Sequence, residues 1–186
     1  MRFQGCRQRL SLGLLGILLF QCATAQKRDA VAVKEFQGRI DNYLAAKKKQ
    51  NVAKKPTDSP GKLAQEKQQT AEKTQAARPK AQQGDIFTPS VATYFKKQIE
   101  GTLRGPNGDK VRTSLRHAEP LPNVQLKVNA KYPKNLPLQS TPPTLLMNLP
   151  QLPKELQYRI VGSTLVLYDM SSGLIVDFIP NAVPAV

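Results

Sequence analysis

Apolar residues are spread unevenly along this chain, and their spacing changes from segment to segment. Leu10 to Phe20 is an almost unbroken apolar run. Val33, Phe36, Ile40, Tyr43 and Leu44 then recur at intervals of three or four. That spacing places them on one stripe and predicts an amphipathic helix over residues 29–49, with Asp29 as its N-cap. A stripe so narrow needs something to dock on, either the rest of the chain or a partner or membrane surface. Between residues 50 and 84 Lys, Gln, Ala and Glu dominate, Pro56, Pro60 and Pro79 interrupt, and Leu63 is the sole large aliphatic after Val52. With no hydrophobic face to bury, this stretch reads as a linker or a solvated helix, helical in part from Lys62 to Arg78.

Beyond residue 84 the apolar density rises. Thr88-Pro89 supplies a hydroxyl cap followed by proline at the first helical position. Val91, Phe95, Ile99 and Leu103 step by four along one face, and Gly105-Pro106-Asn107-Gly108 predicts a terminating turn. Val124, Leu126, Val128, Ala130 and Tyr132 alternate with polar residues, which predicts a half-buried strand. Six prolines between Pro133 and Pro153 then space out leucines and predict an extended connector, with one helical turn allowed at Thr144 to Leu149. The last part predicts three strands: Leu156 to Ile160, Leu165 to Tyr168 and Leu174 to Ile179. Gly162-Ser163 and the stretch Asp169 to Gly173 would turn the chain between them. Leu165-Val166-Leu167 and Leu174-Ile175-Val176 are apolar on both faces, so such a sheet must be covered on both sides.

The expected fold class is therefore α+β: a small antiparallel sheet packed by a helix, preceded by an amphipathic helix and a low-complexity basic segment. The divisions are a leader at 1–25, the amphipathic helix at 26–49, the basic linker or solvated helix at 50–84, the α+β domain at 85–180 and a tail at 181–186.

The leader reading rests on three features in order. Arg2, Arg7 and Arg9 precede the apolar run, and Ala23-Thr24-Ala25 offers the small-x-small pattern of a signal peptidase site, with cleavage after Ala25. The run falls short of the roughly 20 apolar residues of a spanning helix. Cys22 offers an alternative, acylation as in a lipoprotein, which Leu19 suits and Phe20 and Gln21 do not. Both cysteines lie within the leader, so the mature chain would hold no disulfide, thiol nucleophile or thiolate ligand. The implied location is the periplasm or the exterior.

Charge sharpens the picture. The net charge is +15, and loss of the three leader arginines brings it to +12. Such an excess favours anionic surfaces: polyphosphates, acidic glycans, teichoic acids or lipid headgroups. Lys47, Lys48, Lys49, Lys54 and Lys55 are the candidate contacts, unless they simply face water. An exported chain without tryptophan or a base-reading motif is a poor partner for nucleic acid.

The final hairpins carry a resemblance. Tyr158-Arg159-Ile160-Val161-Gly162, Leu165-Val166-Leu167 and Gly173-Leu174-Ile175-Val176-Asp177 resemble the carboxy-terminal hairpin of small exported bacterial proteins, including the RcnB-like nickel and cobalt homeostasis family. The resemblance implies a periplasmic module with a link to metal tolerance. The mature part, however, has one histidine and no cysteine to offer such a metal.

Few residues suggest chemistry. His117, the lone histidine, stands two residues from Glu119 and could act as a base in a hydrolase-type enzyme, but no companion nucleophile is recognisable. Asp169 and Asp177 flank the last turn without the spacing of a calcium loop and read as turn-forming or ladder-end carboxylates. Asn107-Gly108-Asp109 lacks the strand–glycine–helix context of a phosphate loop. The expected function is a non-enzymatic exported protein binding an envelope partner or anionic polymer, with no cofactor. A metal-stress accessory role is the alternative.

Overall fold

The computed structural model describes residues 13–49, 59–116, 125–133 and 141–184. Among these residues, five helices precede a three-stranded antiparallel sheet: α1 (Gly13–Lys48), α2 (Pro60–Ala77), α3 (Pro89–Arg104), α4 (Gly108–Arg116), α5 (Pro143–Leu146), β1 (Leu156–Val161), β2 (Thr164–Asp169) and β3 (Leu174–Ile179). The chain is α+β, and its strands meander in the order β1-β2-β3.

The sheet forms where alternation and turn glycines agree. Gly162 adopts φ +58° between β1 and β2, and Gly173 adopts φ +72° before β3; only glycine enters this region without strain. Tyr158 opposes Leu167 across the first pair. In the second, Leu167 opposes Asp177 but Tyr168 opposes Ile175, so Val176 is an extra, bulged residue.

One face of the sheet carries the main core. Tyr158, Ile160, Leu165 and Leu167 pack against Phe36 and Ile40 of α1 and Val91, Phe95 and Ile99 of α3. Phe36 lies 5.0 Å from Phe95 and 5.7 Å from Phe87, and Phe95 lies 5.7 Å from Tyr158, all ring centre to ring centre. Each such pair adds about 0.5–1.5 kcal/mol beyond its buried area. The stripe of α1 thus docks on its own chain. The other face, with Val161, Val166, Tyr168 and Ile175, packs on Tyr132.

Several expectations need correction. Asp29 is not an N-cap, because α1 begins well before it; its carboxylate instead pairs with Lys97 of α3 at 2.6 Å. The strand expected at 124–132 reduces to one bridge, Lys131 to Leu174, with Val124 outside the described residues. Asn129 takes φ +63° and bends the run, so only its end runs beside β3. The turn after α3 spans fewer residues than expected, and the chain resumes as α4 at Gly108. Glycine is required there: a Cβ would sit 1.9 Å from the Leu103 carbonyl oxygen. Val111 of α4 then joins the core.

The low-complexity stretch is also more engaged than its composition implies. α2 buries Ala71 and Thr74, small residues rather than a hydrophobic face. Gln75 Nε2 donates to the Asn129 carbonyl at 2.8 Å, and Asn129 Nδ2 donates to the Arg78 carbonyl at 3.0 Å. The second bond satisfies a carbonyl at the end of the helix that would otherwise lack a partner.

Candidate functional site

The sequence points to lysines near the end of α1, and the structure divides them. Lys48 and Lys49 are exposed. Lys54 and Lys55 lie outside the described residues, as does His117. Ala25 lies within α1 and is exposed. Lys47 is turned inward: it is one of eight buried polar or charged residues among those described and does not belong to the surface set. Its ammonium donates to Asp169 at 2.6 Å and to the Ser171 hydroxyl. The reason is helical register, since Lys47 follows Phe36, Ile40 and Tyr43 at the same spacing and continues their stripe.

Asp169, at the end of β2, is fully buried. Tyr43 donates to its Oδ2 at 2.6 Å, and the Ser171 backbone and hydroxyl donate to Oδ1 at 2.9 and 2.8 Å. Burial alone would raise the carboxyl, but the hydrogen bonds from Lys47 and Tyr43, aided by the Lys47 charge, hold it below its ordinary value. Burial and the Asp169 charge push the Tyr43 phenol well above its own. A charged pair this enclosed and fully bonded is a clamp between α1 and the β2–β3 turn, with no open side for a substrate.

Asp177 is equally buried. It accepts from the backbone N–H groups of Ile86 at 2.8 Å, Phe87 at 2.7 Å and Gly84 at 3.1 Å. It anchors the loop leading into α3. Both aspartates are therefore structural hubs that hold partners more than 80 residues away; Asp169 fits its reading as a turn-forming residue, whereas Asp177 lies within β3, opposite Leu167, rather than at a ladder end.

Five of the other nine acids among the described residues are spent on neighbours. Asp29, Glu35, Asp85, Glu100 and Asp109 pair with Lys97, Arg39, Arg78, Arg104 and Arg112. Exposed lysines without such partners recur across the helices, among them Lys34 and Lys48 on α1 and Lys62 and Lys73 on α2.

Clefts offer less. One of about 620 Å³ opens between Ala25–Ala32 of α1 and Ser90–Lys97 of α3. Its Asp29 and Lys97 are spent on each other. Among the described residues, no three His, Cys, Asp or Glu side chains stand together as metal ligands, and no helix is long and apolar enough to cross a membrane. No family model, curated protein or solved structure matches the chain.

Proposed function

We propose that the chain is an exported, non-enzymatic envelope protein that binds an anionic polymer. One observation carries the reading: among the described residues seven of the eleven carboxylates are buried or ion-paired, while most exposed lysines form no ion pair. The formal excess of positive charge is thus expressed at the surface rather than cancelled there. Polyphosphate is a suitable probe. Its affinity for the chain starting at Gln26 is expected to fall steeply between about 0.01 and about 1 M salt, as the screening length drops from about 30 to about 3 Å. Affinity that holds steady across that range overturns the proposal.

The hairpin resemblance supports a second reading, an accessory role in nickel or cobalt stress. Calorimetry with Ni²⁺ or Co²⁺ separates the two, because an anion-binding surface gives no metal-binding heat.

A further inference from the structure

The second face of the sheet holds a charge with no counter-charge. Arg159 projects from β1 and retains only 8% exposure. Its guanidinium carbon lies 4.3 Å from the Tyr168 ring centre and 5.6 Å from that of Tyr132. Nη2 donates to Gln157 Oε1 at 2.9 Å. Nε is buried and has no acceptor. Among the described residues, no carboxylate pairs with Arg159. Buried arginines ordinarily bring a carboxylate with them. Ring faces stabilise the charge but give the in-plane N–H groups nothing to bond.

A second cation meets the same tyrosine. Lys67 of α2 donates to Tyr168 Oη at 3.2 Å, and its Nζ lies 5.8 Å from the ring centre. Lys67 is exposed and forms no ion pair among the described residues. Gly173 makes room for it, since a Cβ there would come within 2.6 Å of Lys67 Cε. Because the ammonium is the donor in that bond, the Tyr168 hydroxyl keeps its own hydrogen to give elsewhere. Three kinds of donor, two of them cationic, thus surround one aromatic ring with no acid among them. The complement of such a place is a group that only accepts and is negative.

We propose that Arg159, Tyr168 and Lys67 form a seat for an oxyanion, a phosphate or carboxylate group of the ligand. The inference rests on the anionic-polymer reading and adds to it one defined subsite, distinct from diffuse lysine attraction. Small probes isolate it from the surface effect. Tripolyphosphate and triglutamate, titrated separately into the full chain at about 0.15 M salt, distinguish a phosphate seat from a carboxylate seat. One of them is expected to bind saturably at a single site. Lys67→Ala and Tyr168→Phe should each weaken it by roughly tenfold, the loss expected for a hydrogen bond involving a charged group. Met147→Ala, an exposed position belonging to neither the seat nor the lysine surface, should not. Lys67→Ala changes an exposed side chain, so it reports on the seat even if Tyr168→Phe fails to fold. Wild-type affinity in the Lys67→Ala chain overturns the seat. So does the absence of saturable binding by either probe, and if polyphosphate still binds in a salt-dependent way the surface reading survives. Conversely, tripolyphosphate binding lost in Lys67→Ala, with no salt dependence for long polyphosphate, supports the seat and removes the diffuse surface.

Discussion

At the scale of single residues, the interior is decided by a lysine. Lys47 is buried only because Asp169 meets it, and Asp169 is ionised in the interior only because Lys47, Tyr43 and Ser171 supply hydrogen bonds to it. Asp169→Asn would leave an ammonium enclosed without a counter-charge. Breaking a buried pair from one side costs about 3–5 kcal/mol, and urea unfolding at neutral pH should show a loss of that size. The pH dependence follows from the lowered carboxyl. A depressed folded-state value means that the carboxylate stabilises the fold fully above the unfolded value of about 3.9. This contribution is lost as pH falls through the lower folded value. The stability of the parent chain should therefore drop on acidification through that window more than that of Asp169→Asn. An equal drop in both would mean that the carboxyl is not depressed. Little of this was legible beforehand. The register of Phe36, Ile40, Tyr43 and Lys47 was visible, but a run of three lysines at a helix end equally suits the helix dipole. The partner lies 122 residues away, beyond what spacing can reveal.

At the scale of elements, legibility followed the kind of contact. The three strands and α3 could be read closely because alternation, a four-residue step, Thr88-Pro89 and the turn glycines all bear on the same local choice. The docking of α2 could not, since it depends on burial of Ala71 and Thr74 and on Gln75 bonding to Asn129, and small or polar residues leave no hydrophobic pattern. α4 escaped because Gly105-Pro106-Asn107-Gly108 signals a stop equally well whether or not a helix restarts. The join between β3 and α3 was also hidden. Asp177 gathers the backbone N–H groups of Gly84, Ile86 and Phe87, so the loop before α3 is fastened to the sheet by one carboxylate. Asp177→Ala would orphan those donors, at about 1–3 kcal/mol for each one left unsatisfied. Hydrogen exchange should show the amides of Ile86 and Phe87 opening well ahead of the strands. Asp177→Asn keeps an accepting oxygen and should lose less. If the alanine variant protects those amides as well as the parent does, the fastening lies elsewhere.

At the scale of the whole molecule, the division suggested by composition meets the packing. A body expected to begin near residue 85 draws part of its main core from α1: Phe36, Ile40 and Tyr43 belong to the same cluster as Phe95, Tyr158 and Leu167. Side chains of this size each contribute about 1.5–3 kcal/mol when buried. Three of them together approach the 5–15 kcal/mol that holds a typical domain. Deleting α1 would in addition strip Asp169 of Tyr43 and Lys47, leaving an enclosed carboxylate with only Ser171 and Ser172 to bond it. A chain comprising residues 50–186 should therefore lack a cooperative thermal transition in near-ultraviolet circular dichroism, and adding a peptide of residues 26–49 should restore one. The same peptide with Phe36→Ala should restore it poorly, because Phe36 stacks on Phe87 and meets Phe95 edge-on at the centre of the cluster. A shortened chain that melts cooperatively at the parent's midpoint without the peptide would show that α1 merely rests on a core complete without it.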